Sequence, residues 1–393
     1  MNITKNYSHT IYASYIGYIT QAVVNNFAPL LFMTFSRQYG LTLDKIALIT
    51  TINFAVQLLV DLISTKLIDK IGYRVGIVTA HIFASVGLVS LAVLPEILPS
   101  PYAGTLISVV LYAIGGGLIE VMISPIVEAC PTEKKEAAMS LLHSFYCWGH
   151  MAVVIISTLF FSAFGIDNWR ILSILWAVIP AVNCVYFSFV PLYPITGNEK
   201  PQSVRGLMSQ RIFWILMVLM VCAGASEQAM SQWASVFAES ALKIPKSAGD
   251  LAGPCAFALM MGTARAIYGK YSDKLPLKKA MTICSALCIG SYLLAALTRV
   301  PVFALAGCAV CGFSVGIFWP GTFSLSAACL PSAGTAMYAL MALAGDVGCS
   351  AGPTIVGMIA DKFGGELRAG LLAALVFPVA ILINMVILNR KNT

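Results

Sequence analysis

The fold is decided by Asp61-Leu-Ile-Ser-Thr-Lys-Leu-Ile-Asp69-Lys70-Ile-Gly72-Tyr-Arg74, which returns half a chain later as Arg265-Ala-Ile-Tyr-Gly269-Lys-Tyr-Ser-Asp273-Lys274-Leu-Pro-Leu-Lys278. Each copy ends an apolar segment with Asp-Lys and a basic turn, and each has a charged residue eight positions before that Asp. A repeat at half the chain length is typical of a duplicated structural unit. The pattern therefore predicts two copies of one membrane-embedded unit.

The composition predicts a membrane protein. Hydrophobic residues make up 59% of the chain and charged residues only 10%, whereas soluble domains carry roughly 25% charged residues. A helix that crosses the hydrocarbon core needs about 20 apolar residues. Twelve stretches approximately satisfy this requirement: 10–34, 46–67, 75–94, 103–127, 138–164, 171–190, 212–237, 248–271, 280–297, 302–328, 335–360 and 371–388. We therefore predict an all-α membrane protein with twelve transmembrane helices.

Basic residues are distributed unevenly between the two sides of the predicted membrane. They concentrate on the side of Lys5 and Arg390, which the positive-inside rule assigns to the cytoplasm. Both termini are therefore predicted to be cytoplasmic, in a plasma membrane of the bacterial inner-membrane type, with no removable signal peptide. The same bias accounts for the net charge of +7, and no basic groove with interleaved aromatics predicts nucleic-acid binding.

One connection in the chain is long and polar, at residues 191–211. It predicts an N-terminal six-helix bundle at 1–192, a cytoplasmic linker at 193–211 and a C-terminal six-helix bundle at 212–393. An even number of crossings separates the two copies, so the halves are related in parallel, as in transporters with a site near the midplane. A looser match between Gly149 and Gly348 supports the repeat.

The repeated stretch resembles the signature Gly-x-x-x-Asp-Arg/Lys-x-Gly-x-Arg/Lys of the major facilitator superfamily. The matching positions are Asp69, Lys70, Gly72 and Arg74 in the first copy and Gly269, Asp273, Lys274 and Lys278 in the second. Each copy lacks one glycine, with Thr65 and Pro276 in the two places. The resemblance implies two pseudo-symmetric six-helix bundles that rock around a cavity lined by helices 1, 4, 7 and 10. Asp69 and Asp273 lie where a helix ends, and we predict that they pair with a neighbouring helix N-terminus and basic side chains as latches. Basic loops that only hold their side of the membrane are the alternative.

Ionisable side chains inside the predicted spans are the main candidates for function, because each costs roughly 2.5 to 3.5 kcal/mol to insert. We single out eight of them, within the spans or at their ends: Asp61, Glu120, Glu128, His143, His150, Glu227, Arg265 and Asp346. Asp61 and Arg265 occupy equivalent positions in the two repeats. We predict that Asp61, Arg265 and Asp346 form gating or inter-half charge pairs.

Glu120 is the strongest candidate for chemistry. It follows three consecutive glycines and precedes Ser124 and Pro125, where a proline frees a backbone carbonyl. A carboxyl at this depth can bind and release a proton, and it can accept a hydrogen bond from a sugar hydroxyl. A structural partner for a nearby cation is the alternative.

Helix 5 carries a polar stripe in which His143, Tyr146 and His150 share one face. The stripe favours hydroxyl recognition or a proton relay, and hydrogen bonding between helices is the alternative. The spacing supplies no third ligand, so no metal site is predicted. The only Cys-x-x-Cys, Cys308 to Cys311, lies in an apolar run and is interpreted as buried small residues.

The segments around Glu120 and His143 resemble the fucose:proton symporter branch of the superfamily. That resemblance implies that Glu120 takes part in proton coupling and sugar binding, with His143 at a polar recognition position. The branch also has a functional acid in helix 1, where this chain has Val24-Asn25-Asn26-Phe27. Tyr18, Gln21 and Asn25 share one face of the helix and can replace the hydrogen bonds of the missing acid. They cannot replace a carboxylate that binds and releases a proton. Gln21, Asn25 and Asn26 are predicted to bind substrate.

Helix 7 supplies candidates from the second half. Glu227 lies near the middle of the span, and Ser231 lies one turn further on the same face. Polar groups beside an aromatic ring suit a sugar, whose hydroxyls need partners and whose C–H face can rest on a ring. We predict that Glu227, Ser231, Trp233 and Trp319 bind substrate, with Glu227 as a second coupling acid; packing is the alternative for each Trp.

These features predict a proton-coupled secondary transporter, a symporter, for a sugar or polyol. The chain has no Gly-x-x-x-x-Gly-Lys-Ser/Thr loop for ATP, and no enzyme activity, cofactor or obligate partner is expected beyond solute, proton and bilayer. Sodium coupling is left open, and a monomer is expected. The alternatives are a proton-driven exporter of hydrophobic compounds, for which Met217, Met220, Met230, Met260 and Met261 could form an apolar lining, and a non-transporting sensor.

Overall fold

The computed structural model describes residues 3–132, 135–193, 204–271, 275–330 and 334–390. Within these ranges the chain is helical and has no β-strand. The same ranges contain eleven helical stretches that are long and apolar enough to cross a membrane. The predicted eighth span is also helical, but Asp250 and Arg265 lower its hydropathy and a π-helical turn interrupts it. The all-α membrane fold predicted from the sequence is confirmed.

Contacts between helices divide the chain into two compact units. Unit 1 comprises Met1–Leu41 and Ile52–Gly197, and unit 2 comprises Thr42–Thr51 and Asn198–Thr393. The first six helices, α1 to α6, are Tyr7–Asn26, Leu43–Ile71, Tyr73–Ile97, Pro101–Glu128, Lys135–Phe164 and Trp169–Phe189. The short elements among them are a 3-10 turn at Ala28–Leu31 and a helix at Phe32–Tyr39, which extend α1, and a 3-10 turn at Ile166–Asn168. The first turns of α2 therefore group with unit 2.

The other six helices belong to unit 2 and are more often interrupted. They are α7 (Arg211–Ser231), α8 (Ala256–Tyr271), α9 (Leu277–Leu297), α10 (Pro301–Val315 and Phe318–Cys329), α11 (Gly334–Lys362) and α12 (Leu367–Ala374 and Val376–Arg390). The shorter elements are Val204–Met208 before α7, Ala234–Val236 and the π-helical turn Phe237–Ala241 after it, and Lys246–Asp250 with the π-helical turn Leu251–Cys255 before α8.

The two units share one internal arrangement. In unit 1, α1 packs against α5, and α3 packs against α4 and α6; in unit 2, α7 packs against α11, and α9 packs against α10 and α12. Gly149 and Gly348 lie in equivalent contacts. A methyl group at position 149 would lie 2.9 Å from the Ala22 side chain on α1, and one at position 348 would lie 1.9 Å from the Val221 carbonyl oxygen on α7. The sequence repeat thus extends to the packing of helices inside each unit.

The last basic residue of the repeated stretch joins the third and sixth helices of each unit. In unit 1, the Arg74 guanidinium donates hydrogen bonds of 2.9 Å to the carbonyl oxygens of Phe187, Ser188 and Val190 at the end of α6. In unit 2, Lys278 Nζ lies 3.4 Å from the carbonyl oxygen of Leu388 in the last turns of α12. A cation at these positions satisfies carbonyls that have no partner within the helix and complements the helix dipole.

A second pair of cations joins the same helices at their other ends. Arg170, at the start of α6, forms an ion pair with Glu96 in the last turn of α3 and donates to the Tyr39 hydroxyl (3.3 Å). Arg368, at the start of α12, donates to the carbonyl oxygen of Thr298, which caps α9. The third and last helices of each unit are therefore bonded at both ends.

Replacement of Arg74 should lower the stability of unit 1. Arg74→Ala leaves the final carbonyls of α6 without their guanidinium partner, and we expect a loss of about 1 to 2 kcal/mol, since Arg74 is exposed and water can partly replace it. Arg74→Lys keeps the charge but not the forked donors and should lose less. Thermal unfolding of the detergent-solubilised protein measures both variants. Equal melting of Arg74→Ala and wild type would contradict the capping role.

Candidate functional site

Unit 1 contains a polar cluster in three layers, spaced one helical turn apart along α1. The carboxyl layer lies in the middle and is centred on Glu120 of α4. Gln21 Nε2 on α1 donates a hydrogen bond of 2.5 Å to Glu120 Oε2, and Asp61 on α2 is close enough to Glu120 to interact electrostatically. We call Gln21, Asp61 and Glu120 the carboxyl layer. It brings together a predicted binding residue, a predicted coupling acid and a predicted gating residue.

The amide layer lies one turn further along α1 and consists of Asn25, Asn53 and Gln57. Asn25 Oδ1 accepts two hydrogen bonds, from Asn53 Nδ2 (3.1 Å) and from Gln57 Nε2 (2.8 Å), both on α2. Gly117 lets α4 pack closely against α2 at this level, because a methyl group there would lie 3.0 Å from the Gln57 Cα atom. Asn53 Oδ1 is buried and accepts no hydrogen bond from any described residue. It can accept one from water or a solute.

The hydroxyl layer lies one turn from Gln21 in the opposite direction and consists of Tyr18, Ser124 and His143. The Tyr18 hydroxyl lies 3.0 Å from Ser124 Oγ, and either oxygen can be the donor. The Tyr18 and His143 rings are tilted by 40° with their centroids 5.4 Å apart. Tyr18 is 5% exposed, whereas His143 is exposed. The layer therefore leads from a buried phenol to an accessible imidazole.

Two other predicted residues of unit 1 make different contacts. Asn26 Nδ2 donates a hydrogen bond of 2.9 Å to the Ala22 carbonyl oxygen in its own helix. Tyr146 is partly buried and packs against the apolar core of unit 1. A role in substrate binding remains a prediction for both residues.

Unit 2 has its own polar cluster, at the end of α7. Gln228 Nε2 donates to Glu227 Oε1 (3.3 Å), and Gln232 Nε2 donates to Gln228 Oε1 (3.0 Å). Arg265 of α8 interacts electrostatically with Glu227, and its Nε atom donates to the Gly316 carbonyl oxygen at the break in α10 (3.1 Å). Glu227 thus has a cation as its neighbour, in contrast to Glu120.

The predicted aromatic residues of unit 2 pack against α11. Trp233 is fully buried, and its indole N–H donates to the Pro353 carbonyl oxygen (2.9 Å). Trp319 is partly buried and lies so close to Gly345 that a methyl group there would be 2.2 Å from its ring. Of the two rings, only that of Trp319 keeps a partly accessible face.

The remaining predicted residues are placed as follows. Ser231 on α7 and Asp346 on α11 both belong to unit 2, and both are buried. The side chain of Asp69 and the whole of Asp273 lie outside the part of the chain that the structure describes. The latch predicted at Asp69 and Asp273 therefore remains a prediction.

The site residues predicted from the sequence do not include four amides that the structure places in the two clusters. They are Asn53 and Gln57 on α2 and Gln228 and Gln232 on α7. Each pair is spaced i, i+4 within an apolar helix, so both side chains fall on one face. Paired amides at that spacing inside a membrane span were the signal that could have found them.

A family model settles the class of protein. The model described as the Major Facilitator Superfamily matches residues 14–353 and 251–392. These matches cover most of the chain, which therefore belongs to the major facilitator superfamily. The protein is accordingly a membrane transporter of small molecules and not an enzyme.

Solved structures of transporters share the fold. A bacterial homologue of the human lysosomal transporter Spinster, inward-facing and unoccupied, is 14% identical with a TM-score of 0.77, and the alignment covers 98% of each chain. The same homologue in its occupied, inward-facing conformation gives a TM-score of 0.76 at 14% identity, with 98% of this chain and 97% of that chain covered.

A variant of the nucleoside transporter NupG has the same fold at lower identity. It is 12% identical with a TM-score of 0.77, and the alignment covers 96% of this chain and 99% of that chain. No curated protein matches the sequence. At such identities the likeness shows the fold alone, and membership of the fucose:proton symporter branch remains a prediction.

Proposed function

We propose that this chain is a proton-coupled symporter for a small hydroxyl-rich solute, a sugar or polyol, and that it works by alternating access. The observation that carries the proposal is the hydrogen bond between Gln21 and Glu120 within the polar cluster of unit 1. Carboxyl, amide and hydroxyl groups inside an apolar helical unit are costly to bury, and they are retained where they bind ions or polar solutes.

The carboxyl layer supports proton binding. Two neighbouring carboxylates repel each other, and a proton on one of them relieves that repulsion. The resemblance to the fucose symporter implies a second acid in helix 1, which this chain lacks; Asp61 on α2 supplies a second carboxyl beside Glu120 instead. Glu227 has Arg265 as its neighbour, so Glu120 is the better candidate for the coupling acid.

The amide and hydroxyl layers support a solute with several hydroxyl groups. Asn53 Oδ1 offers an acceptor without a partner among the described residues, and the exposed His143 ring can donate or accept. In unit 2, the partly accessible ring of Trp319 can contact the apolar face of a sugar. A nucleoside, the solute named for NupG, carries a sugar with the same hydroxyl chemistry and belongs in the same test.

The arrangement gives less support to export of hydrophobic compounds. Such an exporter would need an adaptable apolar lining, for which methionine is well suited. Met220, Met230 and Met261 are fully buried, whereas Met217 and Met260 are partly buried. Three of the five methionines are therefore core side chains and not part of an accessible lining.

Transport by the purified protein tests the proposal. We expect that proteoliposomes with an imposed pH gradient will accumulate at least one radiolabelled solute from a panel of hexoses, pentoses, polyols and nucleosides. Glycine and a lipophilic cationic dye, included as unlike solutes, should not accumulate. Accumulation should collapse when a protonophore dissipates the gradient, because the solute then loses its driving force.

Two outcomes would contradict the proposal. If accumulation survives the protonophore but follows a sodium gradient, proton coupling is wrong. If only the dye moves, and moves against the proton gradient, the assignment of a hydroxyl-rich solute is wrong. Empty liposomes with the same gradient measure passive leak.

A further inference from the structure

The three polar layers of unit 1 follow one another along α1, and the carboxyl and hydroxyl layers also follow one another along α4. On α1 the residues are Asn25, Gln21 and Tyr18, which are four and three positions apart. On α4, Ser124 follows Glu120 by four positions. Because an α-helix rises about 5.4 Å per turn, each layer lies roughly that distance from the next. The hydroxyl layer is therefore adjacent to the carboxyl layer on both helices.

The hydroxyl layer lies on one particular side of Glu120. Tyr18 is closer than Gln21 to the beginning of α1, and Ser124 is closer than Glu120 to the end of α4. His143 lies in the first half of α5, which follows α4 in the chain. In the predicted topology the beginning of α1, the end of α4 and the beginning of α5 all face the cytoplasm. The layer thus lies between Glu120 and the cytoplasmic end of unit 1.

The chemistry of the layer suits proton transfer. The Tyr18 and Ser124 hydroxyls are within hydrogen-bond distance, and either can donate to the other. Tyr18 also interacts electrostatically with Glu120. Its ring contacts that of His143, which is exposed and can take up a proton on one nitrogen while releasing one from the other. Tyr18 and Ser124 could also serve only to join α1 to α4 by a hydrogen bond. That role would not explain why an exposed histidine contacts Tyr18, or why the layer lies on the cytoplasmic side of Glu120.

We propose that Tyr18, Ser124 and His143 relay the proton between Glu120 and the cytoplasmic end of unit 1. This inference rests on the proposed function, in which Glu120 binds the coupled proton. The proton leaves Glu120 for a hydroxyl of the layer as that hydroxyl passes its own proton towards His143, so one proton moves and both hydroxyls end neutral. The exposed imidazole then releases the proton.

Infrared spectroscopy of the protein without any solute tests the relay. Full-length protein in lipid nanodiscs is subjected to a pH jump, and the carboxylic-acid C=O band that Glu120→Gln removes is followed in time. We expect the band to respond about 100-fold more slowly in Tyr18→Phe and in Ser124→Ala, the lower end of what a positioned proton-transfer group contributes. His143→Gln should slow it similarly. Tyr112→Phe, a buried phenol of α4 outside the cluster, is the matched control and should respond like wild type.

The outcomes separate the relay from the proposed function. If wild type shows no titrating band that depends on Glu120, the coupling role of Glu120 fails and the relay fails with it. If the band is present and responds at the wild-type rate in both Tyr18→Phe and Ser124→Ala, the relay is wrong while the coupling role stands. Slowing in Tyr112→Phe as well would also overturn the relay, because the effect would then be general to buried phenols. Ser124→Ala keeps the test decisive if Tyr18→Phe does not fold.

Discussion

Glu120→Gln should abolish uphill accumulation of solute under a pH gradient while the protein still exchanges solute across the membrane. Glutamine has the shape of glutamate, and its side-chain oxygen can still accept the hydrogen bond from Gln21, so the carboxyl layer keeps its geometry. It cannot bind and release a proton, however, so binding of solute is no longer linked to proton movement. We expect the internal and external solute concentrations to become equal, because a carrier that is no longer coupled to protons can only equilibrate its solute. Radiolabelled uptake and counterflow in the same proteoliposomes measure the two activities.

A matched control lies on the same helix. Glu128 ends α4 and is exposed, so Glu128→Gln removes one carboxylate without entering the polar cluster and should accumulate solute like wild type. Uphill accumulation by Glu120→Gln at the wild-type level would show that Glu120 is not the coupling acid. Loss of counterflow together with accumulation would instead indicate that Glu120 is required for solute binding itself.

Gly348→Ala should strongly destabilise unit 2, because the contact between α7 and α11 leaves no room for a side chain at this position. The added methyl would lie 1.9 Å from the carbonyl oxygen of Val221 and 2.9 Å from the Ala225 nitrogen, so α11 must move away from α7. Backbone atoms cannot rotate aside as a flexible side chain can. We expect a loss of about 3 kcal/mol, the upper end of the usual cost of overpacking. Thermal unfolding monitored by size-exclusion chromatography of the solubilised protein measures it.

Gly290 provides the comparison within the same unit. It lies inside α9, and a methyl group there would meet no atom within 4 Å. Gly290→Ala should therefore leave stability unchanged or raise it by up to about 1 kcal/mol, the helix propensity difference between the two residues. If Gly348→Ala is as stable as Gly290→Ala, the close contact between α7 and α11 does not contribute to the stability of unit 2 as the structure indicates.

The helices and their repeat are predictable from the sequence because the bilayer imposes one requirement on every span. Each helix needs about 20 apolar residues, and that signal dominates the chain from end to end. The interruptions are a different matter. The break between Val315 and Phe318 in α10 falls at Gly316, four positions before Pro320, which has no N–H to donate to the Gly316 carbonyl oxygen. The end of α7 at Ser231 has no Pro or Gly beside it and depends on how particular side chains pack.

The candidate site is only partly predictable, since spacing along a helix does not give the register between helices. The i, i+4 rule places Gln21 and Asn25 on one face of α1, and the structure brings that face to Glu120. The place of Asp61 in the repeat predicts a gating role, and only the structure shows that α2 presents this residue to Glu120. Asn53 and Gln57 can be recognised in the sequence as an i, i+4 pair of amides, but only the structure shows that both donate to Asn25.

The hydrogen bonds that tie the start of unit 1 to the end of α6 can form only late in the synthesis of the chain. The carbonyl groups that receive Arg74 belong to residues 187, 188 and 190, and Thr10 Oγ1 donates to the carbonyl oxygen of Pro191. When α1 and α3 have just been synthesised, Thr10 and Arg74 are present as hydrogen-bond donors, but the carbonyl groups that accept from them have not yet been made. Unit 1 completes these bonds only when the polypeptide has been made as far as Pro191, which lies just before the polar connection to unit 2.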